Sequence, residues 1–555
     1  MFTVPMRPTR FRFLALGLAA VALTNCASNP HTLNSRPPTP QAEVALPSTH
    51  WSTSKQAVHV LNRLAFGYSP ADWEALEKIG VERWINQQLK PTEISDAWVA
   101  YKLSSFPTLS RSSAELEEEY APPVERAKML GLSPASPEAK AAIEAIPHEE
   151  LPQHILEELM AAKLVRAVES RRQLQEVLVD FWFNHFNVSA EKGPVRWMVT
   201  SYERDAIRPH VFGYFRELLG ATAHHPAMLF YLDNWLSIRE LDPSRTKPGS
   251  PKAGLNENYA RELLELHTVG VNGGYTQQDV RETARCFTGW SIEQPNRKAT
   301  FVFRARAHDP GPKRVMGLSI YRGGGASDGE TVLDYLAAHP ATARFIATKL
   351  CRKFVSDNPP PQLVDRIAAV FLKTGGHLPS VYAALFSAPE FWSDEAFGAK
   401  TKTPFEFAVS GIRALGGQTT GDVQLLQQIE RLGEPLYRAQ APTGYPDVAE
   451  AWINAGALLN RINFGLALAS NRIHGTTADV RGYARRHAAW ADVHRVADAF
   501  ANFILHRELS PQTRDTLYRA VSEQKGEEPA DGERRPIDVP LVAGLMLGSP
   551  DFQKR

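Results

Sequence analysis

The sequence contains little cysteine: three residues in 555, at positions 26, 286 and 351. No two of them have the close spacing of cysteine metal ligands, and a disulfide-rich secreted scaffold needs many more cysteines. Cys286 and Cys351 both lie in apolar, helix-patterned surroundings, which favours buried free thiols. A bridge between these two cysteines is the alternative that an oxidising compartment would allow.

The sequence also lacks an excess of charge of one sign, and its body lacks a long hydrophobic run. The 62 basic and 61 acidic residues give a net charge of +1, so there is no basic footprint for nucleic acid and no nucleic-acid partner is expected. After the N-terminal leader, no stretch approaches the roughly 18 uninterrupted apolar residues that suggest a membrane-spanning helix. The 43% hydrophobic and 22% charged residues are typical of a globular chain.

Residues 1–25 have the pattern of a signal peptide. A basic stretch ends at Arg12, and the apolar stretch after it, about 11 residues, is too short to span a bilayer. The segment ends in Leu23-Thr24-Asn25-Cys26, which resembles the bacterial lipobox, where the cysteine is lipidated and becomes the mature N-terminus. We expect an exported protein, anchored through Cys26 at the periplasmic face of the envelope as an outer-membrane lipoprotein. An ordinary signal peptide cut nearby is the alternative.

The rest of the chain divides into a tether and a helical body. Residues 26–50 are rich in proline, serine and threonine, which predicts an extended tether. Helical periodicity dominates residues 51–555, so we expect a mainly α fold with one large multi-helix domain. Residues 107–150 are expected to form a peripheral excursion. Helices are predicted at about 151–186, 197–219, 255–269, 276–289, 328–355, 361–373, 378–392, 404–416, 446–472, 492–506, 511–522 and 539–547.

One region breaks the helical pattern. Residues 300–306 alternate apolar and polar side chains, and residues 313–321 can follow as a partner strand, which predicts a small β-hairpin inserted at about 300–321. Helix starts are indicated by Ser69 before Pro70, by Thr276 with Asp279, and by a capping box of Ser327 with Glu330. The glycine-rich residues 323–325 before this box lack the lysine of a nucleotide-binding loop.

The helix around residue 180 carries a polar stripe on an otherwise aromatic surface. Asp180, Asn184 and Asn187 share one face, while phenylalanine and tryptophan occupy the other sides. A helix that is apolar nearly all round is buried, and a buried polar stripe needs partners. The stripe is either a hydrogen-bond network that fixes the helix or the floor of a pocket, with Asp180 as ligand or base. His185 points to the aromatic side and is expected to be a core histidine.

A second polar face is predicted on the helix at 255–269. At 100° per residue Asn258, Glu262 and Glu265 fall on one side. Two carboxylates one turn apart can hold a divalent metal ion, our candidate cofactor, or act as an acid–base pair. The alternative is a solvated face with i,i+4 ion pairs between Arg261 and its glutamate neighbours.

Other candidate site residues are more scattered. His308 lies in the predicted hairpin turn, where it could reach over a cleft. His224 and His225 are adjacent, so they face different directions on any regular element and suit a shared metal poorly. Trp290 would suit sugar stacking, although tryptophan in a large core needs no such role. Asn256 adds an amide at the start of the second polar helix.

Several motifs along the chain resemble those of one bacterial family. They include Asn62-Arg63-Leu64-Ala65-Phe66-Gly67-Tyr68, Phe181-Trp182-Phe183-Asn184-His185-Phe186, Asn256-Glu257-Asn258-Tyr259-Ala260-Arg261-Glu262, Phe287-Thr288-Gly289-Trp290 and Gly444-Tyr445-Pro446-Asp447. On these motifs the chain resembles the domain of unknown function 1800 (DUF1800) family over residues 53–552. The resemblance implies a secreted or envelope-directed, largely helical protein with no settled activity and no catalytic residues to carry over. Genes of this family often lie beside those of the secreted DUF1501 family, similar to alkaline phosphatases and sulfatases, which suggests a partner.

Two functions follow from these observations. The first is an accessory or assembly protein that acts with a secreted partner such as a DUF1501 protein. The second is an envelope hydrolase or transferase acting on a glycan or other cell-envelope polymer. Its predicted catalytic residues are Glu262, Glu265, Asp180, Arg261 and His308, its predicted binding residues Asn184, Asn187, Asn256, Asn258 and Trp290, and its candidate metal ligands Glu262 and Glu265. If the stripes at 180–187 and 258–265 meet in one open pocket, the enzyme is favoured.

Overall fold

The computed structural model describes residues 42–240, 254–487, 493–523 and 537–555. The leader, Cys26 and most of the tether lie outside these residues and remain predictions. None of the helices in the described ranges combines the length and the apolar character that crossing a bilayer requires.

The described ranges hold 26 α-helices and three small sheets, which confirms the predicted mainly α fold. The helices α1–α26 are Thr53–Leu64, Pro70–Ile79, Val81–Gln88, Ala97–Leu103, Ser113–Glu119, Pro123–Met129, Pro137–Glu144, Pro152–Glu169, Gln173–His185, Val195–Ser201, Phe215–His224, Pro226–Tyr231, Asn258–Glu262, Gln277–Phe287, Ser327–Ala337, Pro340–Phe354, Pro361–Lys373, Leu378–Phe386, Pro404–Ala414, Val423–Leu432, Ala455–Ala469, Val480–His487, Val493–Ile504, Pro511–Glu523, Val539–Gly548 and Pro550–Gln553. Two π-helical turns, Tyr202–Ile207 and Leu263–His267, continue α10 and α13. Short 3₁₀ turns are Pro91–Glu93, Pro107–Ser110, His148–Glu150, Arg208–His210, Asn234–Leu236, Pro389–Trp392 and Ala449–Ala451.

Three of the predicted long helices are each divided. The stretch predicted at 197–219 is α10 with its π-helical continuation and then α11, with Tyr214 extended before α11 (φ −95°, ψ 142°). The stretch predicted at 151–186 breaks between α8 and α9, where Ser170 takes an extended conformation (φ −64°, ψ 138°). The stretch predicted at 328–355 breaks before Pro340, which lacks the backbone N–H that a continuous helix requires. His339 caps the new helix by accepting a hydrogen bond from the Ala341 N–H at 3.1 Å.

Side-chain caps fix other helix starts. Ser69 accepts from the Asp72 N–H, and Thr276 and Asp279 form a reciprocal capping box, as predicted. The predicted capping box of Ser327 and Glu330 is wrong, because α15 already begins at Ser327. The Ser327 hydroxyl instead donates to the Gly324 carbonyl at 2.8 Å.

The predicted hairpin at 300–321 has the wrong strand pairing. Strand β2 (Thr300–Phe303) pairs with β1 (Trp290–Glu293), and β3 (Lys313–Val315) pairs with β4 (Leu318–Ile320), each pair antiparallel. The reason is a tight turn within the predicted second strand: Met316 and Gly317 both have positive φ, 48° and 90°. A third pair, β5 (Gln418–Thr419) with β6 (Thr476–Thr477), lies elsewhere in the chain.

Helix α9 lies inside the hydrophobic core. Trp182 is fully buried and donates its Nε1–H to the Tyr382 hydroxyl at 2.7 Å, and Tyr382 donates onward to a backbone carbonyl. His185 is buried, and burial lowers its pKa well below the ordinary value, so it is the core histidine that the sequence predicted. Cys286 and Cys351 are also buried and are free thiols, so the alternative of a bridge is wrong.

The excursion at 107–150 contains three short helices, α5–α7. Leu116 of α5 packs with Ile155 of α8 and Trp197 of α10 in a small cluster separate from the main core. At its end, Arg126 donates to the Glu150 carboxylate at 2.9 Å and to the Glu150 carbonyl at 2.8 Å. Hydrogen bonds also tie the excursion to α8 and α10, including the Thr108 hydroxyl with Glu158 at 2.6 Å and the Ser113 and Ser201 hydroxyls with each other at 2.9 Å.

Candidate functional site

A partly enclosed cleft of about 210 Å³ opens beside α9. Helices α8, α9 and α16, the N-cap residue of α19 (Thr403) and the segment 434–447 contribute its walls. Its polar lining consists of Lys163, Asp180, Asn184, Asn187, Lys349, Arg352, Lys353, Thr403, Glu434, Tyr437, Thr443, Tyr445 and Asp447. The cleft thus joins residues that lie up to 284 positions apart in the sequence.

The stripe predicted on α9 forms one side of this cleft. Asp180 and Asn184 lie one turn apart on α9, and Asn187 follows just after the helix ends. Lys163 of α8 donates to Asp180 at 2.6 Å, so this carboxylate is already ion-paired. Asp180 therefore lines the cleft without being a free ligand or base.

Asn184 and Asn187 bind the segment that forms the opposite wall. The Asn184 amide donates to the Tyr445 carbonyl at 2.8 Å and accepts from the Tyr445 N–H at 2.7 Å. Asn187 donates to the carbonyls of Ala439 and Ala441, at 3.0 and 2.9 Å. The sequence predicted either a hydrogen-bond network or a pocket floor. The stripe does both kinds of work: it makes these hydrogen bonds and it lines one side of the cleft.

Glu434 is a site residue that the sequence analysis missed. It is 7% exposed, and burial raises its pKa to about 7, with the nearby Asp180 charge adding to the effect. Its Oε2 accepts from the Phe405 N–H at 2.8 Å, which fixes the carboxyl group in the wall. Near neutral pH this carboxyl is divided between its protonated and ionised forms.

Lys349 is the second residue that the sequence analysis missed. Burial lowers the pKa of its ammonium to about 8, and Arg352 lowers it further against the opposing effect of Asp447. Within the described ranges, Lys349 makes no hydrogen bond or ion pair; its ammonium lies 5.8 Å from the ring centre of Phe345. A lysine held in this way is an accessible base or nucleophile near neutral pH.

Buried ion pairs support the floor of the cleft. Lys353 donates to Glu406 at 2.8 Å, and Arg555 lies 3.0 Å from the same carboxylate. Burial alone would raise the pKa of Glu406, but these two cations lower it to about 2. Lys400 likewise lies 3.1 Å from Asp447. The cations that lie deepest are therefore neutralised, while Lys349 and Arg352 have no ion-pair partner in the part of the chain that the structure describes.

The second predicted face, with Glu262 and Glu265, does not reach the cleft. Glu262 is the last residue of α13 and Glu265 lies in the π-helical turn that follows, and neither side chain lines the cleft. Glu265 accepts from the Tyr275 hydroxyl at 3.0 Å. Burial raises the pKa of Glu262, and the neighbouring Glu265 charge raises it further.

The neighbours of these glutamates have local partners. Arg261 lies 3.4 Å from Glu257 and donates to Gln277 at 2.9 Å, so of the two i,i+4 pairs in the predicted alternative the structure has the one between Glu257 and Arg261. Asn256 donates to the Asp233 carbonyl at 3.2 Å and accepts from the Asn258 N–H at 2.9 Å. Both asparagines therefore lie in the start of α13 and not in the cleft.

Two further predictions are wrong. His308 is 3% exposed and lies 2.8 Å from the Thr288 carbonyl and 3.1 Å from Asp328, so it does not reach over a cleft. Trp290, the first residue of β1, is fully buried and cannot stack on a sugar. His224 pairs with Glu330 at 2.7 Å, while His225 caps α12, so these two histidines do not converge.

Glu262 and Glu265, the predicted metal ligands, have no third histidine, cysteine or carboxylate ligand within reach in the described ranges. One group of three such side chains in these ranges has its ligand atoms in mutual reach, and it contains neither Glu262 nor Glu265. It consists of His148, His154 and Glu157, at the end of the excursion and away from the cleft lining.

Comparison with known proteins gives a family and no activity. No curated protein and no solved structure matches the chain. The model of one family, described as proteins of unknown function (DUF1800), matches residues 59–554. That match spans nearly the whole chain, from α1 to the C-terminal α26, and includes every residue that lines the cleft. The chain therefore belongs to the DUF1800 family.

Proposed function

We propose that this protein is an exported cell-envelope enzyme, a hydrolase or transferase that acts on an anionic group of an envelope polymer in the cleft beside α9. Glu434 is its general acid and Lys349 its general base. Export and anchoring through Cys26 rest on the leader at residues 1–25.

One observation carries this proposal: burial shifts the pKa values of two groups in the same cleft toward neutral pH, one upward and the other downward. The pKa of Glu434 is raised to about 7 and that of Lys349 is lowered to about 8. Titratable groups whose environments shift them in this way are typical of acid–base catalysis. Neutral Lys349 accepts a proton from the attacking water or hydroxyl group, and protonated Glu434 donates one to the leaving oxygen.

The charge of the lining supports an anionic substrate. Lys163 and Lys353 are paired with Asp180 and Glu406, whereas Lys349 and Arg352 have no carboxylate partner in the described ranges. The Arg352 Nε–H donates to the Asp357 carbonyl at 3.1 Å, which leaves the two terminal nitrogens of the guanidinium available to a ligand. A carboxylate or phosphate group of an envelope glycan matches these two cations.

The test is turnover of envelope polymers. Wild-type protein is incubated with peptidoglycan sacculi and with lipopolysaccharide, and released fragments are measured by mass spectrometry. We expect release by the wild type, loss of release in Glu434→Gln and Lys349→Met, and wild-type release in Lys373→Met, an exposed lysine on α17. Absence of any product, or product that persists in both cleft variants, would contradict the proposal.

The accessory role is the second candidate, and an exposed apolar surface favours it. Ile453, Leu458 and Leu459 are 63%, 44% and 59% exposed at the start of α21. Ile453 directly follows Trp452, whose ring lies 6.1 Å from that of the cleft residue Tyr445. A secreted partner such as a DUF1501 protein would cover this surface. Co-purification of the two proteins, lost in Leu458→Asp with Leu459→Asp, tests it.

A further inference from the structure

A group of metal-ligating side chains lies where the excursion at 107–150 returns to α8. His148 belongs to the 3₁₀ turn His148–Glu150, and His154 and Glu157 lie one turn apart in the first half of α8. One ligand atom from each of the three side chains lies within 4.8 Å of the others. Glu157 follows His154 by three positions, and this i,i+3 spacing puts the two side chains on one face of α8.

The distances suit a small divalent cation. His148 Nε2 lies 2.7 Å from Glu157 Oε2, and His154 Nδ1 lies 3.7 Å from the same oxygen. Nitrogen and oxygen ligands of tetrahedral zinc, at about 2.0–2.1 Å from the metal, are roughly 3.3 Å from one another. Small side-chain movements bring all three atoms to that separation.

A buried carboxylate orients one of the histidines. Glu158 is 6% exposed and is held by the Thr108 N–H at 2.9 Å and the Thr108 hydroxyl at 2.6 Å. Its other oxygen lies 3.1 Å from His154 Nε2. This carboxylate favours the proton on Nε2, so Nδ1 keeps its lone pair toward His148 and Glu157. A carboxylate behind a ligating histidine is a recurrent feature of zinc sites.

We infer that His148, His154 and Glu157 bind one Zn²⁺ ion, with Glu158 as the residue that positions His154. Two imidazole nitrogens and one carboxylate oxygen are ligands that zinc prefers, and the 55% exposure of the His148 side chain leaves the fourth position open to water. The ion joins the end of the excursion to α8. This site is independent of the cleft chemistry proposed above.

The test uses the purified full-length chain, treated with chelator and then loaded with Zn²⁺. We expect one equivalent of zinc to remain after buffer exchange and to be lost in His148→Ala, His154→Ala and Glu157→Gln. The matched control is His474→Ala, because His474 is also exposed and also pairs with a carboxylate, Asp422, at 2.8 Å. Circular dichroism checks that each variant is folded; Glu157→Gln keeps the shape of the side chain.

The positioning role of Glu158 is tested separately, by isothermal titration. Glu158→Gln keeps all three ligands, and we expect it to weaken zinc binding roughly 10–100-fold without changing the stoichiometry. Retention of less than one equivalent by the wild type, or unchanged retention in both histidine variants, would overturn the zinc site. Unchanged affinity in Glu158→Gln would overturn its positioning role.

Discussion

Asn184 and Tyr445 exchange two hydrogen bonds, one in each direction, between the amide of the first and the backbone of the second. This contact joins α9, inside the core, to the segment that forms the far wall of the cleft. The two residues are 261 positions apart in the sequence, so this contact is also among the longest-range hydrogen bonds of the site.

Removal of the Asn184 amide should destabilise the protein. In Asn184→Ala the Tyr445 N–H and carbonyl lose their partner, and an unsatisfied buried group costs about 1–3 kcal/mol. Denaturant unfolding measures the change. Asn460→Ala is the control, because its exposed amide makes one hydrogen bond, to the Arg431 carbonyl, and should cost no more than about 0.5 kcal/mol. Equal costs in the two variants would show that the Asn184 contact is not specific.

Gly444 should tolerate no side chain. Its φ is +68°, and a Cβ would lie 2.3 Å from Asn184 Oδ1 and 2.5 Å from the Asn184 carbonyl oxygen. Gly398 is a matched control, since its φ is +69° and a Cβ there would meet nothing within 4 Å. In both alanine variants the left-handed backbone conformation costs about 1–2 kcal/mol of stability. Gly444→Ala should lose about 1–3 kcal/mol more, because of the clash.

The comparison of these two glycines separates backbone strain from contact. Unfolding midpoints in urea, measured for both variants and the wild type, give the difference. If Gly398→Ala and Gly444→Ala were equally destabilised, the close approach to Asn184 would carry no energy and the cleft wall would be held in another way.

Local patterns in the sequence predicted the helices and the buried stripe because both depend on residues close together in the chain. Asp180, Asn184 and Asn187 repeat at helical spacing, so their shared face could be read directly. Glu262 and Glu265 have the same kind of spacing and lie close enough for the Glu265 charge to raise the pKa of Glu262, but tertiary packing places this helix away from the cleft. Nothing in the local residues distinguishes these two helices.

The chemistry of the cleft could not be read in the same way. Lys349 stands in an amphipathic helix, where a lysine normally faces water, and Glu434 follows a helix-ending glycine. Their pKa shifts arise from burial by α8, α9 and the segment near 445, which are distant in sequence. Tertiary packing creates these properties, so single-sequence patterns carry no signal for them.

Glu434 should make stability depend on pH. A carboxyl whose pKa is raised to about 7 by folding binds more protons in the native state than in the unfolded state between about pH 4.5 and 7. Stability therefore falls as pH rises through this window, by about 3 kcal/mol at most. Glu434→Gln lacks this carboxyl, so its stability should not fall in this way. The stability of the variant minus that of the wild type should therefore be greater at pH 8 than at pH 5.

Urea unfolding of both proteins at a series of pH values measures this dependence. Glu450→Gln is the control, because it removes an exposed carboxylate beside the same wall and leaves Glu434 in place. Parallel profiles for the wild type and Glu434→Gln would mean that the Glu434 carboxyl is ionised across the whole range.

The proposed acid–base pair should give a bell-shaped rate profile. Activity needs neutral Lys349, whose population rises as the pH passes through about 8, and protonated Glu434, whose population falls as the pH passes through about 7. The two limbs cross near pH 7.5, midway between these values. Lys349→Arg retains the charge and cannot lose its proton, so it should abolish activity at every pH. The profile is measured on the polymer that the wild type cleaves.

Without any substrate present, Lys349 should also react as a nucleophile at a lower pH than an ordinary lysine. Only a neutral amine attacks an acylating reagent, so the labelling rate of each lysine follows its own deprotonation. Competitive labelling with acetic anhydride, read by mass spectrometry across pH 6–11, should give Lys349 a midpoint near pH 8. Lys90, an exposed lysine, is labelled in the same experiment and serves as the reference. Burial also slows access, so the midpoint, and not the absolute rate, is decisive. A Lys349 midpoint equal to that of Lys90 would remove the general base from the proposed mechanism.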